Sequence, residues 1–339
     1  MTKPILIWGA GAIGGTLGAS FIRAGHEAIF VDSAADHVAA INAEGLRIDG
    51  PIYQDTVKAK AYLPEELEGT FDRIFLCVKA HHTAAAATAL KPHIAADGYV
   101  VSAQNGLNEN VMAVIIGKER VVGCFVNFGA DYLEPGVVHY SGYGAVVVGE
   151  LDGKRTPRIE AIHALMSQFE PKAVLTDNIW GYLWGKLIYG ALLFGTALTN
   201  DSIADVLANP AYRPVLTKLA HEIGKVAEAQ HIVTEAFNGF DPAAFAPSAP
   251  AGETARSFDE MVVHNRKSAK SHSGIWRDLA IRKRRTEVDA QVLPVVEIGR
   301  LLGVPTPLAA KVVTMIHEIE DGKRPLDLAN LDDLARAAA

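Results

Sequence analysis

An α/β fold is expected, with a doubly wound parallel sheet in the N-terminal half and an all-helical C-terminal half. Three observations point to it. A glycine-rich turn joins the first apolar run to a helix, short apolar runs alternate with helical segments as far as GAVVVGE, and from about Thr176 the pattern is helical to the end. The 339 residues exceed what one hydrophobic core usually serves, so two domains are expected, 1–176 and 177–339.

The most specific stretch is PILIWGAGAIGGTLGASFIRAGHEAIFVDS. ILIW suits a buried parallel strand. Gly9, Gly11 and Gly14 then spell G-x-G-x-x-G: the first permits a tight turn, the second lets a pyrophosphate approach the backbone, and the third lets helix and strand pack closely. A helix follows to about Ala24, and its first amides, Ala12 and Ile13 with Gly14, can face phosphates. Gly25 would end it, and EAIFVD reads as the second strand. Strand before, helix after and an acid closing the second strand make this a Rossmann-type dinucleotide site and the first domain a dinucleotide-binding one. Asp32, 18 residues beyond Gly14, is placed to accept hydrogen bonds from the adenosine ribose. Its carboxylate would repel a 2′-phosphate, and Ser33 offers no guanidinium, so the pair favours NAD over NADP. An aspartate that only caps the next helix is the alternative.

The alternation continues. DRIFLCVKA reads as a strand, HHTAAAATALKPHI as a helix and GYVVSAQNGL as a strand ending in a loop; GCFVNFGADY and GAVVVGE add strands, with GVVHYSGYG between them. Ligands of such sheets lie at the carboxyl ends of strands, where Lys79 and Asn105 fall, so both are candidates for cofactor or substrate contact. His81 and His82 lack the companion spacing of a metal site and read as solvated or helix-starting residues, so no metal is expected. Cys77 and Cys124 both sit in apolar strand-like runs and are expected to be buried, reduced thiols.

In the helical half, NIWGYLWGKLIYGALLFGTALTN carries one charge, Lys186, in 23 residues. Thr176 or Asp177 can cap this helix. It is long enough to mimic a membrane span, but a mid-bilayer lysine costs about 2.5–3.5 kcal/mol on insertion scales. No second span accompanies it, so a buried helix of a cytoplasmic protein is expected. The opening MTKPILIWGAGAIGG runs from strand straight into turn and does not read as a secretory leader. NGFDPAAFAPSAPAGE reads as an internal loop. A net charge of −7 argues against general nucleic-acid binding. Between Asn265 and Arg285, however, eight Lys or Arg accompany a single acid, Asp278, and one or two of them could hold an anionic ligand.

Together GAGAIGG, VKA with Lys79, QNG with Asn105, WGKL with Lys186 and RTEVD with Glu287, in that order and spacing, resemble the ketopantoate reductase (2-dehydropantoate 2-reductase) family over almost the whole chain. The resemblance implies a Rossmann domain, a helical domain carrying substrate and catalytic residues, and reduction of a 2-keto acid with a nicotinamide cofactor, usually NADPH. It implies Lys186 as the catalytic acid, Glu287 as its carboxylate partner, and Lys79 and Asn105 near cofactor and substrate. Hydride addition to a ketone leaves an alkoxide that needs a proton, and a poorly hydrated lysine is a better acid than an exposed one. The chain also departs from the family. The asparagines usually found four and eight residues beyond this lysine are Gly190 and Phe194 here. The serine expected to bind the substrate carboxylate is matched only approximately by Ser273, in SGIWRD. Arg277 could replace that contact by a bidentate grip or pair with Asp278.

An NAD(P)-dependent oxidoreductase interconverting a 2-keto acid and its 2-hydroxy acid is therefore expected, ketopantoate being the first substrate to consider. An NAD-linked dehydrogenase of another branched hydroxy acid or sugar acid is the second reading, and a non-catalytic nucleotide-sensing protein the third. A homodimer is compatible with each, and a membrane partner with none.

Overall fold

The first apolar run is strand β1 (Ile5–Trp8), fully buried at the centre of a sheet; the chain is seen here in a computed structural model that describes residues 3–267 and 271–338. Two compact units divide the chain, Met1–Ile179 and Trp180–Ala339. The division falls a few residues beyond the expected 176/177 boundary, just inside the first helix of the second unit.

In the first unit β1 leads to α1 (Ala12–Arg23), β2 (Ala28–Val31), α2 (Ala35–Glu44), β3 (Leu46–Asp49), β4 (Asp55–Val57), β5 (Lys60–Tyr62) and β6 (Phe71–Leu76). Then come α3 (Thr83–Leu90), β7 (Ile94–Ser102), α4 (Asn108–Ile116), β8 (Val121–Val126), β9 (Gly129–Glu134), β10 (Val137–Gly142), β11 (Val146–Glu150), α5 (Pro157–Phe169) and β12 (Val174–Leu175). Eight strands form one sheet in the order β12-β11-β8-β7-β6-β1-β2-β5. All its pairs are parallel except β8 with β11. From β1 the chain winds outward through β2 and β5, then returns to β6 on the other side of β1. That reversal opens a crevice beyond the carboxyl ends of β1 and β6, the place where doubly wound sheets bind ligands. Phe21 of α1 meets Phe75 of β6 with ring centroids 5.2 Å apart, and both rings are fully buried.

One part of the expected series is corrected. GADY and GVVHYSG do not extend the large sheet. They are β9 and β10 of a second, four-stranded sheet of order β4-β3-β10-β9, in which only β3 and β10 run parallel. The burial of β3 alternates along LRID, as in a sheet with one face covered, whereas β1 and β8 are buried throughout. This small sheet lies under the start of α1: a Cβ at Gly15 would come within 3.1 Å of Val138 on β10 and 3.4 Å of Leu46 on β3.

The second unit is built from α6 (Ile179–Thr196), α7 (Ile203–Ala208), α8 (Arg213–Ala229), α9 (Glu253–Lys267), α10 (Gly274–Trp276), a π-helical turn (Arg277–Ile281), α11 (Val288–Gln291), α12 (Leu293–Leu302), α13 (Pro307–Glu320) and α14 (Ala329–Ala337). The Thr176 hydroxyl accepts the Asn178 amide just ahead of α6. NGFDPAAFAPSAPAGE is a loop within the unit, pinned by the short helical turn Pro242–Phe245 and by Phe240, which packs on Tyr189 of α6. Among the described residues no helix is long and apolar enough to cross a membrane. No disulfide joins Cys77 and Cys124; Cys77 is half-buried, and burial pushes its thiol pKa up. His81 and His82 are exposed in the turn leading into α3, and no metal-holding cluster occurs among the described residues.

Glu109 stands out in the core. It lies in the first turn of α4, 1 % exposed, and neither carboxylate oxygen has a hydrogen-bond partner. Desolvation pushes its pKa up to about 7; its own amide and the Ser102 hydroxyl pull weakly the other way without meeting hydrogen-bond geometry. A carboxyl whose folded pKa is raised favours folding only while protonated, so stability is lost as pH rises from the unfolded value towards 7. The gap corresponds to about 3 kcal/mol. Glu109→Gln should therefore match the native protein at pH 5 to within about 1 kcal/mol and exceed it by about 3 kcal/mol at pH 8. Denaturant midpoints at the two pH values test this, and equal midpoint differences would refute it.

Candidate active site

The glycine turn is shaped by how little room it has. Gly9 has φ +100°, and a Cβ there would stand 2.9 Å from the Val78 amide nitrogen, so the turn after β1 is pressed against the segment after β6 that carries Lys79. A Cβ on Gly14 would overlap the Gly9 carbonyl oxygen, and one on Gly11 would meet nothing within 4 Å. Gly11, Ala12 and Ile13 are half-exposed, while Gly14 to Ala19 are buried. The first helical hydrogen bond runs from the Gly15 N–H to the Gly11 carbonyl, 2.7 Å. The amides ahead of it are the donors that a helix start leaves for a ligand. An open backbone flanked by such donors fits a pyrophosphate.

Asp32 follows β2 and is half-buried. Its Oδ2 accepts the Ala10 amide at 2.8 Å and its Oδ1 accepts the Ala34 amide at 3.0 Å. The carboxylate thus ties the glycine turn to the approach to α2, and each oxygen keeps acceptor capacity for a ribose hydroxyl. Asp32 does not cap α2, whose N-cap is Ala34 with no side-chain cap, so of the two expectations the helix-cap one is corrected.

Lys79 and Asn105 stand half-buried after β6 and β7, adjacent strands of the sheet. A chain of side-chain hydrogen bonds joins their loops. The Gln104 amide donates to the Val78 carbonyl and to the Thr83 hydroxyl, both at 2.8 Å; Thr83 donates to Asn108 Oδ1 at 2.8 Å; and Asn108 Nδ2 donates to the Asn105 carbonyl at 2.6 Å. Gln104, Thr83 and Asn108 are all buried. Each group donates and accepts in turn, an arrangement that stiffens a buried network.

In the second unit, α6 is buried on nearly every side. Past Trp180, only Tyr182, Lys186, Tyr189, Gly190 and Leu193 keep some exposure. Their spacing of four, three, one and three residues makes one stripe along the helix, and Lys186 is its only ionisable group apart from the tyrosines. Tyr189 packs against Phe237 and Phe240, with centroids 6.0 and 5.1 Å away, and burial raises its phenol pKa. A Cβ at Gly190 would lie 3.5 Å from the Gln291 Oε1, so α11 passes α6 one turn beyond Lys186. Glu287 precedes α11 by one residue, and the Gln291 amide donates to its carbonyl. The segment is anchored from behind. Both the Thr286 amide and its hydroxyl donate to Glu320 Oε1, at 2.7 and 2.8 Å, and Arg285 pairs with Glu320 and Asp321.

Phe194 is corrected. It is fully buried and offers no surface to a substrate. Eight residues along a helix advance about 80° beyond whole turns, whereas seven fall about 20° short, so Leu193 continues the stripe and Phe194 turns into the core. Ser273 is buried as the N-cap of α10, its hydroxyl accepting the Trp276 amide at 3.2 Å. The Trp276 ring stacks on His272 at 4.0 Å and donates to Asn200. Arg277 is half-buried in the π-helical turn. Asp278 accepts from Arg282 and Arg284, both at 2.9 Å, so much of the basic run is spent on local ion pairs. Lys270 of that run lies outside the described residues.

Residues 5–153 match the family described as ketopantoate reductase PanE/ApbA, and residues 178–320 match its C-terminal counterpart. The chain belongs to the ketopantoate reductase family. A 2-dehydropantoate 2-reductase of Mesorhizobium japonicum is 28% identical over 342 residues, covering 93% of this chain and 97% of the relative. A PanE/ApbA family ketopantoate reductase structure from Ralstonia eutropha JMP134 superposes with a TM-score of 0.79 at 27% identity, covering 95% and 99% of the two chains. D-mandelate dehydrogenase, solved with NADH and anilino(oxo)acetate, shares the fold with a TM-score of 0.80 at 21% identity over 95% and 99%.

As a ketopantoate reductase family member the chain is an NAD(P)-dependent oxidoreductase, the class expected from its motifs. Gln104, Thr83, Asn108 and Gln291 were not among the residues singled out in the sequence. Gln104 could have been, as the first letter of QNG; Thr83 finds its partners 21 and 25 residues away, where no spacing points. Thr83→Val should leave Gln104 and Asn108 each one partner short, costing about 1–3 kcal/mol. We expect a lower denaturant midpoint together with slower turnover, as the Lys79 and Asn105 loops lose their link. Native turnover in a destabilised variant would show that the link serves stability alone.

Proposed function

We propose that the protein reduces 2-dehydropantoate, or a branched 2-keto acid close to it, to the 2-hydroxy acid, with Lys186 as the proton donor and NAD(H) as the preferred cofactor. The observation that carries the proposal is the stripe on α6: a helix buried almost everywhere keeps its single lysine where it retains access. When bound, the nicotinamide supplies hydride to the carbonyl carbon. Negative charge then develops on the carbonyl oxygen, and the Lys186 ammonium donates the proton that neutralises it. Glu287 orients that ammonium, while Lys79 and Asn105 hold the reacting groups. The amides of Gly11, Ala12, Ile13 and Gly14 receive the pyrophosphate.

Asp32 supports the preference for NAD. A 2′-phosphate has no donor for this carboxylate, and like charges about 4 Å apart repel by about 4 kcal/mol at an effective dielectric of about 20, before screening by salt. Two ribose hydroxyls would instead donate to it. The NADH-bound D-mandelate dehydrogenase of the same fold is consistent with this choice. Gly190 favours one second reading. Without an asparagine at this position, the site would suit a less polar side chain than that of ketopantoate, and an NAD-linked hydroxy-acid dehydrogenase would then be the working activity.

Steady-state assays of a 2-keto and 2-hydroxy acid panel with both cofactors test the reading, and no turnover of any member at millimolar concentration would end it. Lys186→Ala should bind NADH as the native protein does yet lose turnover by about 10²–10⁴-fold. Unchanged turnover would remove Lys186 from the reaction. Asp32→Ala should narrow the ratio of NADPH to NADH dissociation constants, and tighter NADPH binding by the native protein would contradict the role given to Asp32.

A further inference from the structure

We infer that His37 is a positioning residue of the dinucleotide loop: it holds the Ala10–Gly11 peptide so that the Gly11 N–H faces the pyrophosphate. The inference rests on the dinucleotide reading of the glycine turn. His37 lies on the apolar face of α2 with Val38 and Ile41 and is 1 % exposed. One ring nitrogen, Nδ1, lies 2.8 Å from the Gly136 amide nitrogen, and the other, Nε2, lies 2.9 Å from the Ala10 carbonyl oxygen. A backbone amide can only donate, so Nδ1 accepts, the ring proton sits on Nε2, and Nε2 donates to Ala10. The Tyr132 ring packs edge-on against the imidazole at 5.1 Å.

Ala10 is therefore held on both sides, its N–H by Asp32 and its C=O by His37. No peptide bond among the described residues is cis. In a trans peptide the carbonyl and the next N–H point in opposite directions, so a carbonyl fixed towards α2 turns the Gly11 N–H away from it. The glycine that lets a ligand approach also creates the need for this restraint. A peptide followed by glycine rotates easily, because glycine accepts either sign of φ. His37 removes that freedom from the first of the peptides whose N–H groups must point outward. It also ties the loop to the β9–β10 turn, through Gly136, so the small sheet braces the cofactor site.

The two ring contacts can be separated. His37→Gln places an amide where Nε2 stood and keeps the donor to Ala10. His37→Asn reaches only the Nδ1 position, keeping an acceptor for Gly136 and losing the donor to Ala10. Isothermal titration of NADH and of ADP-ribose into the apoprotein should show His37→Asn weaker than native by about tenfold or more, the usual effect of losing one buried hydrogen bond. His37→Gln should stay within about threefold, with the KM for the keto acid moving less than about twofold in both variants. Equal affinities in the two variants at matched thermal stability, or native affinity in His37→Asn, would overturn the inference while leaving the dinucleotide reading intact. A native protein that binds neither NADH nor NADPH would remove both.

Discussion

The first unit depends on one close approach, the packing of the start of α1 onto the ends of β1 and β6. It is possible only because Gly14 has no Cβ to strike the Gly9 carbonyl and Gly9 none to strike the Val78 amide. Any side chain at either position would push the helix off the sheet. The first amides of α1 would then leave the crevice, and the loop bearing Lys79 would lose the turn that it leans on. Asp32, through the Ala10 amide, fastens the same turn from the opposite side. The geometry of the glycine turn and core packing are thus one constraint in this region.

Under the role proposed for Lys186, the second unit answers a different problem, that of keeping an ammonium group in apolar surroundings without losing its use. Every flank of α6 but one is covered, and the uncovered one carries Lys186 beside Tyr189 and Gly190. A lysine on the covered flanks would shed its charge or its helix; one on an ordinary surface helix would be too well hydrated to be a good acid. The loop before Glu287 gains its stiffness from Glu320, whose side chain is buried and receives two hydrogen bonds from Thr286.

The alternation of elements and the glycine spacing made the large sheet legible, because a parallel strand buried on both faces leaves an unbroken apolar run. The small sheet was hidden by its half-polar strands, whose segments resemble loop as much as strand. Motifs close in sequence, such as G-x-G-x-x-G with Asp32, could be read directly. The links among Thr83, Gln104 and Asn108, and that between His37 and Gly136, join residues 21 to 99 positions apart. No periodicity encodes such pairs. Phe194 shows the opposite hazard: taken as sharing the face of Lys186, it stands about 80° off that stripe, enough to carry it from the rim into the core.

Gly190 has a consequence of its own. Glycine within a helix costs about 0.5–1 kcal/mol relative to alanine, and here a methyl group would meet only the end of Gln291 in ordinary contact. The fold could take alanine without rearrangement, so steric necessity does not explain the glycine. What it leaves is a notch one turn from the lysine, with a flexible carboxamide for a wall. Under the proposed reading, a larger residue at Gly190 would fill that notch while the backbone stayed put, which gives this scaffold a ready means of drifting from bulky towards small acids.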